Sequence, residues 1–251
     1  MKKIFLFLGV ALLGFSTLVQ AQKEEKKQKE EKKWKDDRPT IEGSGNIITK
    51  EITVQPFDEL SISGVFSVLL SQGGKEQVKI EADDNLQELF EVKNEGSKLV
   101  IKMKKDVNFR SKDSKNKMKV YITFRKLNSM ELQTVGNVSS PENLNFDNLR
   151  LENTSVGSVD LKLTAKSLDI ENQSVGTFML SGKADEAVIK HGGVGSFKAA
   201  NLLVQTMDIE ASGVGSAEVN AEKELKVKDS FLGKVSNRGA ATVKRMNKVV
   251  I

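Results

Sequence analysis

Apolar and polar positions repeat together along the second half of the chain, and a glycine marks each repeat. The signatures are Val135-Gly136-Asn137, Val156-Gly157-Ser158, Val175-Gly176-Thr177, Val194-Gly195-Ser196, Val214-Gly215-Ser216 and Leu232-Gly233-Lys234. Successive glycines lie 21, 19, 19, 20 and 18 residues apart. A repeat of this length predicts a solenoid, in which each coil buries its apolar face against its neighbours.

Aligned on the glycine, the columns predict the coil. Six positions before it stand Met130, Leu151, Ile170, Ile189, Ile209 and Val227, and eight before it Leu149, Leu168, Ala187, Met207 and Leu225. A valine, or Leu232, stands immediately before it. Two positions after it come Val138, Val159, Phe178, Phe197, Ala217 and Val235; Leu161, Leu180, Ala199 and Val219 follow at four after. Spacing by two places alternate side chains inward along a strand. The phase changes at the glycine, which predicts corners at Gly136, Gly157, Gly176, Gly195, Gly215 and Gly233. A tight turn often needs a positive φ, which disfavours any residue with a Cβ. Each coil is then strand, corner, strand and a loop of variable length. The favoured fold is all-β, a parallel β-helix-like solenoid with coils of about 20 residues stacked about 4.8 Å apart.

The first half is also strand-rich. Ile47–Val54, Glu59–Ser63, Val65–Leu70, Gln77–Ala82, Lys98–Lys104 and Met118–Phe124 carry β-branched residues or alternation between turn residues. Only Asn85–Val92 has helical spacing, through Leu86, Leu89 and Phe90.

Composition separates the N-terminus from this pattern. Met1-Lys2-Lys3, the apolar stretch Ile4–Val19 and the small residues of Val19-Gln20-Ala21 predict a signal peptide over 1–21, removed before Gln22. No Cys is present, so neither a lipid-anchored cysteine nor a disulfide is available. Residues 22–40 are an almost wholly charged run that predicts a flexible linker; a charged functional arm is the other reading. The domain then covers 41–251, with an irregular part over 41–125 and regular coils over 126–251. Cleavage would remove Lys2 and Lys3 and take the net charge from +5 to +3, too balanced for a nucleic-acid partner. No membrane-spanning segment is expected after cleavage.

Candidate chemistry is sparse. The lone His191 falls in a polar column with Asn153 and Asn172, each 19 residues apart, which suits a stacked side-chain ladder or an exposed face. Gly192-Gly193-Val194-Gly195 has no helix after it to form a phosphate site. Asp160, Asp169, Asp208 and Asp229 are read as sharing no repeat position, so no acid–base pair is aligned. No catalytic residue, metal ligand or cofactor site is expected. The candidate binding residues are Lys98, Lys102, Lys104, Lys105, Arg110, Lys112, Lys115, Lys117 and Lys119, opposed only by Asp106 and Asp113. On a strand, loop and returning strand they would form a basic face for an anionic glycan or lipopolysaccharide. The plainer reading, which the pattern favours, is that they guard a hairpin edge from aggregation.

Gly43-Ser44-Gly45-Asn46-Ile47-Ile48 and Phe57-Asp58-Glu59-Leu60-Ser61-Ile62-Ser63-Gly64-Val65-Phe66-Ser67-Val68 resemble the opening of the head GIN domain family of auto-transporter adhesins. Val78-Lys79-Ile80-Glu81-Ala82-Asp83-Asp84-Asn85-Leu86 and Lys98-Leu99-Val100-Ile101 are similar to its next segments. The resemblance spans roughly 41–251 and implies a right-handed β-helix-like fold, exported to a Bacteroidetes-type envelope, with no catalytic residues to carry over. Three classes follow. An exported, non-catalytic envelope binding or adhesion module in the periplasm or on the outer surface comes first. An accessory that contacts another envelope protein is second. A polysaccharide-acting enzyme is third.

Overall fold

In a computed structural model of the chain, residues 38–112, 118–230 and 233–246 are described. The expected signal peptide and nearly all of the expected linker lie outside them, as do Lys115 and Lys117. Thr40–Ile251 forms one compact unit.

Alternation in the sequence becomes alternation of burial. The first part holds β1 (Thr40–Glu42), β2 (Ile47–Ile52), β3 (Glu59–Gly64), β4 (Ser67–Gln72), β5 (Gln77–Asp83), β6 (Phe90–Glu95), β7 (Lys98–Met103), β8 (Asn108–Arg110) and β9 (Lys119–Phe124). The second holds β10 (Ser129–Thr134), β11 (Val138–Ser139), β12 (Leu144–Asn153), β13 (Val156–Asn172) and β14 (Val175–His191). It continues with β15 (Val194–Ala211), β16 (Val214–Asp229), β17 (Gly233–Asn237) and β18 (Val243–Arg245). The result is an all-β solenoid of about 6 turns, with stacked coils of about 19 residues.

Like stacks on like. Met130 pairs with Leu151, Leu151 with Ile170, Ile170 with Ile189, Ile189 with Ile209 and Ile209 with Val227, all buried. Val138, Val159, Phe178, Phe197, Ala217 and Val235 form a second buried column in register. Within it the Phe178 and Phe197 rings stack 5.4 Å apart at 7°. Burying such residues supplies the stability that disulfides cannot.

The coil departs from the expected plan in one respect. β13 to β16 run without a break through both halves and are interrupted only at Thr154-Ser155, Gln173-Ser174, Gly192-Gly193 and Ser212-Gly213, while Gly157, Gly176, Gly195 and Gly215 keep φ between +133° and +142° within the strands. Gly157, Gly176, Gly195 and Gly215 each lie one residue inside the following strand, whereas Gly233 opens β17 and Gly136 precedes β11. The longer repeat after Gly195 is absorbed by register shifts, between Met179 and Ser181 in β14–β15 and between Lys198 and Leu203 in β15–β16.

Coil order in space differs from order in sequence. β3 and β4 lie between the β10–β11 coil on one side and β7 and β9 on the other, all parallel. The chain therefore builds outward to β7 and β9, then returns across the β3–β4 coil to begin the regular repeats. Antiparallel strands close that outer end: β6 pairs with β7, β5 with β9 and β2 with β5. Covering an otherwise open edge this way limits strand-to-strand aggregation. The expected helix is only a 3-10 turn over Asp84–Leu89, burying Leu86 and Leu89. Phe90 and Val92 belong to β6, because pairing with β7 outweighs a short helical spacing.

Candidate functional site

The basic strip is not a hairpin face. β7 and β9 are not paired with each other; they extend opposite halves of the outermost coil. Lys98 reaches Glu131 at 3.1 Å and Glu59 at 3.6 Å, Lys102 reaches Glu91 at 3.3 Å, and Lys119 reaches Glu81 at 2.7 Å. These pairs raise the Lys98 and Lys119 ammonium groups above their ordinary range, chiefly through hydrogen bonds to Glu131 and Glu81. Such lysines are compensated by the protein itself and offer little net charge to a ligand. Lys104, Lys105, Arg110 and Lys112 remain exposed along the segment that contains β8.

The polar column around His191 is a buried ladder. Asn153 Nδ2 donates to Asn172 Oδ1 at 2.7 Å, and Asn172 Nδ2 lies 2.9 Å from His191 Nδ1. With the amide donating, Nδ1 is the acceptor and the proton sits on Nε2, which is buried without a partner. Burial holds the imidazole below its ordinary pKa, so it is neutral at pH 7. A neutral ring 5.5 Å from the Phe197 centroid, enclosed in the core, packs and hydrogen-bonds.

The acidic residues depart from the expected pattern at one position. Asp169 pairs with Val188 and Val188 with Asp208, so Asp169 and Asp208 do share a repeat position, two coils apart. That separation is about 9.6 Å, and Lys226 lies 3.5 Å from Asp208. Among the described residues, no group of three or more His, Cys, Asp and Glu side chains could hold a metal ion.

Two features do offer a surface. The first is the valine column. Val135, Val156, Val175, Val194 and Val214 follow one another in register, and Val65 continues the line beside Val135. All six are between 45% and 52% exposed, so the apolar position next to the glycine faces solvent, not the core. Five steps of strand spacing give a row about 24 Å long. Its surroundings are Gln133-Thr134, Thr154-Ser155, Gln173-Ser174, Gly192-Gly193 and Ser212-Gly213 before the valines, then Gly with Asn, Ser or Thr after them. No charged residue occurs in these segments. The glycines bring the backbones together there. A Cβ on Gly176 or Gly195 would stand 2.0 Å or 1.9 Å from the preceding coil's glycine oxygen, at φ of +136° and +133°.

The second is a cleft of about 450 Å³ lined by Pro56, Phe57, Asp58, Glu76, Ser97, Arg125 and Lys126. A smaller depression of about 220 Å³ adjoins it, sharing Arg125 and Lys126 and adding Gln72, Asn128, Asn145 and Asp147 to its walls. Its frame is fixed by hydrogen bonds. Gln72 Nε2 donates to the Arg125 and Asn145 carbonyls at 3.0 Å each, and Asn128 Nδ2 donates to Asp58 Oδ2 at 3.2 Å. Arg125 Nε reaches Glu76 Oε1 at 2.7 Å. Burial pushes the Glu76 carboxyl up, but hydrogen bonds and the Arg125 charge hold it below its usual value. The cleft has no sequence signal, because Pro56-Phe57 and Arg125-Lys126 are far apart in sequence; the exposure of the valines has one, since they stand at odd spacing from the buried columns on either side of the glycine.

The family described as "putative auto-transporter adhesin, head GIN domain" matches residues 56–241. A putative adhesin from Bacteroides fragilis has a solved structure similar to this chain, with 28% identity and a TM-score of 0.71. The match covers 82% of this chain and 100% of that one. Putative adhesins from Parabacteroides distasonis and Parabacteroides merdae are similar at 19% and 17% identity, with TM-scores of 0.58 and 0.50. They cover 82% and 83% of this chain, and 95% and 100% of their own lengths. These two likenesses concern the fold alone. No curated protein matches the chain. Among the described residues, no helix is long and apolar enough to cross a membrane.

Proposed function

Since the chain belongs to the family of the putative auto-transporter adhesin head GIN domain, we propose that it is an exported, non-catalytic binding module of the cell envelope, with an adhesion-type role. The observation that carries this reading is the valine column. Six half-exposed valines add little to the core, yet each coil repeats them on an uncharged strip. A rigid apolar row of this kind suits contact with an extended surface, whereas a catalytic site needs convergent titratable groups. Another envelope protein could supply that surface as readily as a glycan layer.

A second reading concerns anionic glycan or lipopolysaccharide. Of the nine basic residues singled out in the sequence, Lys98, Lys102 and Lys119 are held in ion pairs, whereas Lys104, Arg110 and Lys112 are exposed. Lys104, Arg110 and Lys112 form no ion pair among the described residues. Their attraction for phosphate or carboxylate groups would weaken with salt.

Retention under flow tests both. Beads carrying the full chain are passed over lipopolysaccharide-coated, mucin-glycan-coated and bare surfaces at low and physiological salt. The triple variant Val156→Lys, Val175→Lys, Val194→Lys should lose about tenfold in retention while melting like the parent. Loss confined to a variant with Lys104, Lys105, Arg110 and Lys112 changed to Glu would transfer the role to the basic segment. A parent chain retained on neither coated surface would sink the adhesion reading.

A further inference from the structure

We propose that the paired depressions around Arg125 and Lys126 form a saccharide-binding cleft that selects a sugar bearing a carboxylate. The inference rests on reading the chain as a binding module, but on a different part of its surface from the valine column.

A pyranose presents an apolar C–H face and a rim of hydroxyls that both donate and accept. The larger depression offers complements to each. Pro56 and Phe57 supply an apolar wall, Asp58 and Glu76 supply acceptors, and Ser97 can do either. About 450 Å³ lies within the range of small-ligand cavities. The polar groups are held before any ligand arrives. Asp58 is tied to Asn128, and Glu76 is tied to Arg125. The segment leading to Pro56 is pinned by a Gln55 N–H bond to Asn94 Oδ1 at 2.9 Å and a return bond from Asn94 Nδ2 to the Gln55 carbonyl at 3.2 Å. Preorganised groups of this kind lose little freedom on binding.

Charge selects the substituent. Arg125 is compensated by Glu76, and Asp147 by Lys166 at 2.6 Å. Lys126 lines both depressions, is exposed, and has no ion pair within 4.0 Å among the described residues. It also attracts Asp147, whose close partner is Lys166, and so remains a cation available to an incoming anion at their junction. Asp58 lines only the larger depression, which sets an orientation. The sugar's hydroxyls face Asp58, and its carboxylate lies on the Lys126 side, toward the smaller depression, where the amides of Gln72, Asn128 and Asn145 stand with Asp147, itself paired to Lys166. A carboxylate there gains a charge-assisted bond that a neutral sugar cannot make.

Titration of the full chain with methyl glucuronide and methyl glucoside, followed by saturation-transfer NMR and calorimetry, tests the assignment. Glucuronide should bind saturably and at least about tenfold more tightly than glucoside. Lys126→Gln should reduce glucuronide to the glucoside level, and Lys104→Gln, outside the cleft, should leave it unchanged. Equal binding of the two sugars, undiminished binding by Lys126→Gln, or no saturable glucuronide binding would each overturn the proposal. A chain that ignores glucuronide yet is retained on coated surfaces loses this inference and keeps the adhesion reading.

Discussion

Gly195→Ala tests the physical basis of the coil stack. Gly195 lies at φ +133°, and a Cβ there would stand 1.9 Å from the Gly176 oxygen and 2.9 Å from its carbonyl carbon. Those are backbone atoms of the adjacent coil and cannot rotate away. Relief requires a local opening of about 1 Å between strands that sit about 4.8 Å apart. Forcing an alanine into this backbone region costs about 1–3 kcal/mol. Loosening about two ladder bonds adds about 1 kcal/mol each. The sum is about 3–5 kcal/mol, which for a chain of this size lowers Tm by about 6–20 °C. The control is Gly192→Ala, where the nearest atoms to the new Cβ lie at 3.5 and 3.8 Å and φ is not positive. That change should stay within about 0.5 kcal/mol. Each coil contacts only its neighbours, so opening need not be global. Hydrogen exchange should therefore accompany melting by circular dichroism, with faster exchange confined first to β14 and β15. If Gly195→Ala and Gly192→Ala melt within 2 °C of each other, the close approach of the glycine column does not hold the coils.

Other expectations follow from the same geometry. His191→Asn should extend the Asn153–Asn172 ladder and keep stability at pH 7 within about 1 kcal/mol. The parent should weaken as pH falls below ~6.5, because the unfolded imidazole takes a proton there while the buried one stays neutral to lower pH. The variant should lose that slope in denaturant melts; an unchanged slope would assign it elsewhere. Phe197→Ala removes one ring of the buried Phe178 stack and should cost about 3–5 kcal/mol by urea unfolding, with a much smaller loss counting against the column as core. Hydrogen bonds from Lys119 and Lys98 depress the Glu81 and Glu131 carboxyls. The stability they add is present above pH ~4.3 and lost as pH falls through their folded values. Both are partly exposed, so Glu81→Gln should flatten the acid limb of the stability profile by under about 1 kcal/mol. A larger effect would mean that Glu81, which accepts from both Lys119 and, at 2.8 Å, the Tyr121 hydroxyl, is held more strongly than exposed pairs are.

The sequence by itself determined the repeat and its register. The columns through Met130 and Val138 pair residue for residue, because parallel stacking at strand spacing places equivalent positions above one another. It also aligned Asn153, Asn172 and His191 in one column, but left open whether that column is a stacked ladder or an exposed face; burial settles it as a hydrogen-bonded ladder. Tertiary structure decided what local alternation cannot. The inside–outside phase is reset not at the glycine, as the sequence pattern suggests, but at Lys166-Ser167 and Asp185-Glu186, where two consecutive residues separate buried Ala165 from Leu168 and Ala184 from Ala187. Strand partners in the first half were likewise undetermined. Lys98–Met103 and Lys119–Phe124 are near in sequence, yet each found a parallel neighbour in the β3–β4 coil, because pairing is chosen by the whole stack. The cleft arises the same way, from loops around Phe57, Glu76, Ser97 and Arg125 that only the non-sequential order of coils brings together.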